Sequence, residues 1–265
     1  MISIAGLRAR AKLLLARRRG HLAYFGERLR FPADMFLVER VCREGIYERE
    51  NLRLLQVAAH ADAWYFDIGA NIGLMSAPML QAEPRLQVVS VEPSPSTRTC
   101  LAASIAASGN RHRWHLVARA LGEQPGRVRF HAAAAGGGAY DGFRDTGRSY
   151  GGSGVDVEQT TLDALWEEFG RPPVCAVKID TEGAETFVLR GGRACLTSTR
   201  AVVLIEWNPY NLSAFGLRPD SLLGLATELD YHVLTTPGLA PLPDAGAVDY
   251  LSRVSETFML VPRSH

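Results

Sequence analysis

A Rossmann-like α/β fold is what this chain predicts: a mostly parallel seven-stranded sheet with a C-terminal antiparallel strand, preceded by an N-terminal helical arm. Three observations carry that reading. From Trp64 onward, short apolar runs alternate with helix-length segments, the pattern of βαβ units whose right-handed crossovers build a parallel sheet. Glycine turns and acidic residues fall at the carboxyl ends of those runs, at 67–73, 92, 178–183 and 206. Two last strand-like runs, 231–235 and 256–261, suit an antiparallel pair added to an otherwise parallel sheet.

The elements follow in order. Residues 1–44 form a basic arm, with Arg8, Arg10, Lys12, Arg17, Arg18, Arg19, Arg28 and Arg30 in its first thirty positions. Leu7, Leu14, Leu15 and Leu22 are placed on one helical face with them. The arm reads either as a solvated segment packed on the main domain or as a helix on an anionic membrane surface, so peripheral membrane contact stays open. The main domain is expected over 45–265. Its first strand spans 63–68, a turn 69–73 and a helix 74–81. A second strand over 86–92 leads to a helix over 95–107 that Gly109 stops. A third strand is expected over 114–120, a short one over 155–160 and a helix from Thr161, which Thr160 or Thr161 caps. The fourth strand, 174–180, precedes a helix over 184–196, and the fifth, 201–207, precedes one over 219–229. Residues 132–154, rich in glycine, read as a flap over the site or as a plain surface excursion.

Composition bounds the function. The 265 residues are 47% hydrophobic and 22% charged, with formal charge +1, so no global field selects nucleic acid, and no basic stripe with interleaved aromatics runs through the domain. The longest apolar run near the N-terminus, 13–16, is too short for a signal-peptide core or a membrane span. The four cysteines form no C-x-x-C pair and have no histidine at metal-ligand spacing, which reads as reduced thiols in a cytoplasmic protein and gives no metal site. Only Lys12 and Lys178 are lysines among 29 basic residues. Lys178 therefore stands out within its motif.

Three motifs carry the chemistry. In Asp67-Ile68-Gly69-Ala70-Asn71-Ile72-Gly73 the glycines let backbone approach a ligand. The spacing is G-x-x-x-G with an acid two residues ahead, not the dinucleotide G-x-G-x-x-G. A diphosphate would be repelled by Asp67, whereas the ammonium and sulfonium of S-adenosylmethionine would be attracted. Glu92, followed by Pro93, ends the second strand, where an acid accepts hydrogen bonds from ribose hydroxyls. The 120–122 turn, including Leu121, is placed under the adenine by position. Finally, Lys178-Ile179-Asp180-Thr181-Glu182-Gly183 puts charges at the end of a central strand, where they are costly unless paired or used. Either Lys178 forms an ion pair with Asp180 or Glu182, or Asp180 and Glu182 face the methyl group and its acceptor. Glu206 points to the same rim, and Trp207 and Tyr210 either line a flat acceptor or pack. Asp180 or Glu182 is the expected base, Glu206 the reserve, and Lys178 holds the cluster. His131 reads as structural.

With these residues on the page, the chain resembles the FkbM-type methyltransferase family. The segments DIGANIG, VEPSP, ALGE, TTLDAL, KIDTEGAE, VLRGG and LIEWNP carry the resemblance, with Gly45-Ile46-Tyr47-Glu48 upstream; it covers about 45–210. It implies a class I methyltransferase fold, S-adenosylmethionine as methyl donor, and O-methylation of a hydroxyl on a small-molecule or glycan acceptor, a sugar, glycan or secondary metabolite. Asp67, Gly69, Asn71 and Gly73 would surround the methionine part, Glu92 the ribose, and Asp180 and Glu182 the transfer site. Arg119 departs from the family's small or amide residue before the Ala-Leu-Gly turn. An NAD-type oxidoreductase and a non-catalytic binding module are the rival readings.

Overall fold

The computed structural model describes residues 4–33, 35–132 and 153–264. The amino-terminal part runs α1 (Ile4–Arg19), β1 (Leu22–Tyr24), β2 (Glu27–Leu29), α2 (Phe36–Glu44) and α3 (Arg49–Ala58). The alternating part follows: β3 (Trp64–Ile68), α4 (Ser76–Ala82), β4 (Gln87–Val91), α5 (Pro95–Ala107) and β5 (Trp114–Val117). Next come β6 (Ala120–Leu121), β7 (Gly126–Ala132), β8 (Ser153–Thr160) and α6 (Leu162–Glu168). The last third holds β9 (Val174–Ile179), α7 (Glu185–Arg190), α8 (Arg193–Thr199), β10 (Val202–Glu206), α9 (Pro209–Ala214), α10 (Ser221–Leu229), β11 (Tyr231–Thr235), α11 (Ala245–Leu251) and β12 (Thr257–Pro262).

The main sheet has seven strands in the order β11-β12-β10-β9-β3-β4-β5. β12 pairs antiparallel with both β10 and β11, while β3, β4, β5, β9 and β10 run parallel. β3 lies between β4, which follows it, and β9, which returns after the β6–β8 sheet. The winding direction reverses there, and the crevice beyond the carboxyl ends of β3 and β9 is the place where open α/β sheets bind ligands. Apolar runs rather than alternation mark the central strands, because helices cover both faces. Phe66, Ile68, Val177, Ile179 and Ile205 belong to the core on one side; Tyr65, Val88, Ala176 and Leu204 belong to the core on the other.

Several expectations needed correction. The predicted helix over 184–196 is two helices, broken at Gly191–Gly192. A Cβ on Gly191 would sit 2.2 Å from the Gly122 carbonyl oxygen, and one on Gly192 would sit 2.6 Å from Leu162. The break thus lets two helices approach β6 and α6 closely. Leu22 is on strand β1, buried in the core it shares with Ala16, α2 and the sheet, and not on the helical face that carries Leu7, Leu14 and Leu15. The sequence-based reading missed α2, α3, the β1–β2 hairpin, β7, α9 and α11. The first two show steep amphipathicity, with Leu37, Val38, Val41, Leu52 and Leu55 inward. Nearly all of the glycine-rich segment 132–154 lies outside the described residues.

Candidate functional site

Beyond the ends of β3, β4, β9 and β10 lies a cavity of about 890 Å³, in the size range of small-molecule sites. One wall is the turn after β3. Gly69 has φ +77°, and a Cβ there would lie 1.7 Å from the Asp180 carbonyl oxygen. Glycine is required because the ends of β3 and β9 nearly touch. The Gly69 and Ala70 N–H groups both donate to the Val91 carbonyl at 3.0 Å, which pins the turn to the end of β4. Asn71, at φ +53°, donates its N–H to Glu92 Oε2 at 2.8 Å. Ser94 N–H donates to Glu92 Oε1, also at 2.8 Å. Glu92 is thereby oriented along the cavity wall beside Pro93.

Gly69, Ala70, Asn71, Glu92, Pro93, Leu121, Lys178, Asp180, Glu182 and Glu206 all line this cavity. Asp67 and Gly73 do not. A Cβ on Gly73 would meet the Trp114 ring at 2.9 Å and Leu101 at 3.1 Å, so this glycine serves packing between α5 and the turn. Asp67 has no exposure at all. Asp67 pairs in register with Lys178 on β9, so both side chains leave the same face of the sheet, and the shorter Asp67 stays buried beneath the floor that Lys178 forms. There Ser76 donates to Asp67 Oδ2, and Lys178 Nζ lies 3.9 Å from Oδ1. Trp207 is also buried, its indole N–H donating to the Pro219 carbonyl at 2.8 Å, while Tyr210 lines the cavity and is 55% exposed.

Lys178 is the joint of the floor. Its ammonium lies 2.9 Å from Asp180 Oδ2 and donates to the Gly69 carbonyl at 3.0 Å. Burial alone would lower its proton affinity, but Asp180 and Asp67 outweigh that and raise it. Burial raises the Asp67 carboxyl, and Lys178 and Ser76 oppose it. The expected Lys178–Asp180 ion pair is therefore present, and both partners line the cavity.

Above that joint, one carboxylate oxygen each from Asp180, Glu182 and Glu206 lie within 4.8 Å of one another. Glu182 adopts φ +55° and accepts from Asn211 Nδ2 at 2.7 Å. Glu185, one turn on, accepts from Thr181 N–H at 2.8 Å, Thr181 Oγ at 3.0 Å and Gly183 N–H at 3.1 Å. It holds the loop that presents Asp180 and Glu182. Burial pushes Glu185 up to about 7 against those bonds. Glu206 is raised well above the ordinary glutamate range by burial and by the charges of Asp180, Glu182 and Glu185, and its buried Oε2 has no partner. Like charges this close cannot all ionise without a cation or a shared proton. The same oxygens have the chemistry of ligands for a hard divalent ion.

The remaining walls were not singled out as site residues in the sequence. Phe36, Leu37 and Arg40 come from α2, Tyr47 and Glu48 from the entry to α3, and Ser252, Arg253 and Glu256 from beyond α11. Glu48 takes φ +41° at the start of α3. Burial first, then the negative charges of Glu48, Asp180 and Glu206, raise the Tyr47 phenol well above its usual value, and the Arg40 guanidinium sits 5.3 Å from the Tyr47 ring centre. Asn208 caps α9 through Oδ1, with its buried Nδ2 unpartnered. Tyr47, Glu48 and Asn208 do fall inside the quoted GIYE and LIEWNP segments, which was the available signal. Arg119 pairs with Glu168 at 2.6 Å on α6, away from the cavity.

A family model described as the methyltransferase FkbM domain matches residues 67–233. A 2-O-methyltransferase, NoeI, from Sinorhizobium fredii is 25% identical over 199 residues, 68% of this chain and 73% of that one. Among solved structures, a methyltransferase FkbM from Methylobacillus flagellatus aligns over 83% of this chain and 46% of its own, so this chain spans under half of that protein's length, with 17% identity and a TM-score of 0.49. A precorrin-6y C5,15-methyltransferase from Geobacter metallireducens covers 83% of this chain and 90% of its own at 12% identity and a TM-score of 0.45.

Proposed function

Because the chain belongs to the FkbM methyltransferase family, a class I S-adenosylmethionine-dependent methyltransferase family, we propose that it methylates a hydroxyl of a sugar or glycan, with Asp180 as the base. The observation that carries this reading is the contact between Gly69 and the Asp180 carbonyl, bridged by Lys178. It joins the donor-side turn and the carboxylate cluster into one wall. A hydroxyl acceptor agrees with the name of the 2-O-methyltransferase relative.

The lining fits S-adenosylmethionine by its donor and acceptor chemistry. Glu92 offers an oriented carboxylate to ribose hydroxyls. Val91, Leu121 and Phe130 offer an apolar wall to a flat base. Glu48, Asp180 and Glu182 supply the negative charge that suits an ammonium and a sulfonium; this replaces the expected direct contact of Asp67, which acts from below through Lys178. When bound, the donor supplies a methyl group already activated on sulfur. What is left to the protein is alignment, which contributes about 7–11 kcal/mol in favourable cases, and removal of the acceptor's proton, which contributes roughly 10²–10⁴-fold.

Asp180 suits proton removal best. Glu182 is buried and held by Asn211, whereas the Asp180 carboxylate, though paired with Lys178, stays partly open to the cavity. Glu206 is held toward its protonated form by its surroundings, so it serves as a hydrogen-bond donor to Asp180 rather than as the first base. The test has two stages. Thermal stabilisation by S-adenosylmethionine is compared with stabilisation by NAD, and labelled methyl transfer is then followed over a panel of mono- and oligosaccharides. Stabilisation by the methyl donor with transfer to a sugar hydroxyl is expected. Stabilisation by NAD alone favours the oxidoreductase rival; binding without turnover on any acceptor favours a non-catalytic module.

A further inference from the structure

Helix α1 carries two apolar stripes, and only one of them is used by the fold. Ala9, Leu13 and Ala16 turn inward, with Leu13 and Ala16 joining the core shared with α2 and the sheet. On the opposite side Leu7, Leu14 and Leu15 are 56%, 67% and 45% exposed. At about 100° per residue, Leu7, Ala11, Leu14 and Leu15 fall within one sector of roughly 100°. Arg10 and Arg17 border that sector on one side, and Arg8, Lys12 and Arg19 border it on the other, all exposed. Arg18 lies within it. No acidic residue occurs in the helix. Arg17 reaches Glu39 at 3.0 Å, and among the described residues no ion pair engages Arg8, Arg10, Lys12, Arg18 or Arg19.

We propose that this outward face docks the protein on an anionic phospholipid surface. Leucines flanked on both sides by cations are the geometry of a helix lying in the bilayer interface, with side chains entering the acyl boundary and ammonium and guanidinium groups meeting lipid phosphates. Each Lys or Arg near such a surface strengthens binding roughly fivefold at moderate salt. A nucleic acid would use the charges and leave the leucines in water. A second copy of the chain would bring the two leucine sectors together only by also opposing their cationic borders, with no acidic residue on the helix to offset them. Helix α2 connects the docked face to the cavity, since it packs on α1 through Arg17–Glu39 and contributes Phe36, Leu37 and Arg40 to the cavity wall. The inference is independent of the identity of the acceptor.

The experiment is co-sedimentation of the full chain with vesicles of phosphatidylcholine alone and of phosphatidylcholine mixed with phosphatidylglycerol. Two variants are compared, Leu7→Ser/Leu14→Ser/Leu15→Ser and Arg8→Gln/Arg10→Gln/Lys12→Gln, both leaving the inward stripe intact. Binding to the mixed vesicles at least roughly a hundredfold above the neutral ones is expected, with a loss of roughly a hundredfold in the three-cation variant and of about tenfold or more in the leucine variant, each with an unchanged unfolding midpoint. Leu14→Ser alone should show a partial loss in the same direction. The proposal is overturned if the wild type ignores the mixed vesicles, or if the leucine variant binds them undiminished. It is also overturned if duplex RNA competes the protein off the vesicles while binding both leucine variants and wild type equally, or if the variants instead convert an oligomer to a monomer.

Discussion

Replacing Lys178 with Met removes one cation from beneath the cavity and leaves two carboxylates behind. Lys178 is 5% exposed and Asp67 wholly buried. At the 3.9 Å separation of Lys178 from Asp67, an effective dielectric of about 20 gives roughly 4 kcal/mol of attraction. That agrees with the ~3–5 kcal/mol typical of breaking a buried pair by deleting one partner. The Gly69 carbonyl also loses its donor. The cost depends on pH. With Lys178 gone, burial raises Asp67 further above its ordinary 3.8, so the native state binds that proton more tightly than the unfolded chain. Stability then falls as pH climbs from about 3.8 toward the raised native value, and the variant's deficit is larger at pH 8 than at pH 5. Urea unfolding followed by circular dichroism at the two pH values measures this. With a slope of about 1–3 kcal/mol per molar, the midpoint should drop by roughly 2 M at the higher pH. Adding Asp67→Asn should recover part of the loss, although Asp67→Asn alone should destabilise. A midpoint shift under about 0.5 M, or a deficit independent of pH, would refute the view of Lys178 as the floor's counter-charge.

Other outcomes follow from the same geometry. Glu92→Ala should weaken S-adenosylmethionine binding by about 1.5–3 kcal/mol, the loss of a charge-assisted ribose contact; calorimetric titration showing unchanged affinity removes Glu92 from the site. Gly69→Ala combines a positive φ with a Cβ 1.7 Å from the Asp180 carbonyl, so it should cost several kcal/mol, at least the ~1–3 of strained backbone, and a wild-type unfolding midpoint would contradict the close strand approach. For Glu206, whose proton affinity rises on folding, the native state loses stability as pH rises from about 4.5 toward the raised value. Glu206→Gln should flatten that decline and be the more stable protein at pH 8; a steeper decline in the variant would show that Glu206 is ionised in the native state.

The parallel core was legible because buried strands and helix caps are local signals. The 95–107 helix, the 231–235 strand and the β11–β12 pairing were read with the bounds or partners the structure has. The cavity's inner half was legible for a related reason: glycines and acids at strand ends have few structural uses. Asp67 was harder, because the sequence shows a charge but not which way its strand faces. Its complete burial beside Lys178 is what shows that it lies under the floor. The α2, α3 and α11 walls were missed because amphipathic helices look alike wherever they dock. Their contribution to the cavity comes from tertiary placement of Arg40, Tyr47, Glu48 and Arg253, not from any local pattern.

Turnover of Asp180→Asn at saturating S-adenosylmethionine, measured beside the variant's affinity for that donor, bears most directly on the proposed chemistry. A methyl-transfer rate at saturating donor lower by roughly 10²-fold or more, over and above any loss of donor affinity, is expected when this carboxylate takes the acceptor's proton. Transfer at the wild-type rate, or a rate that falls only because the donor no longer binds, would contradict it.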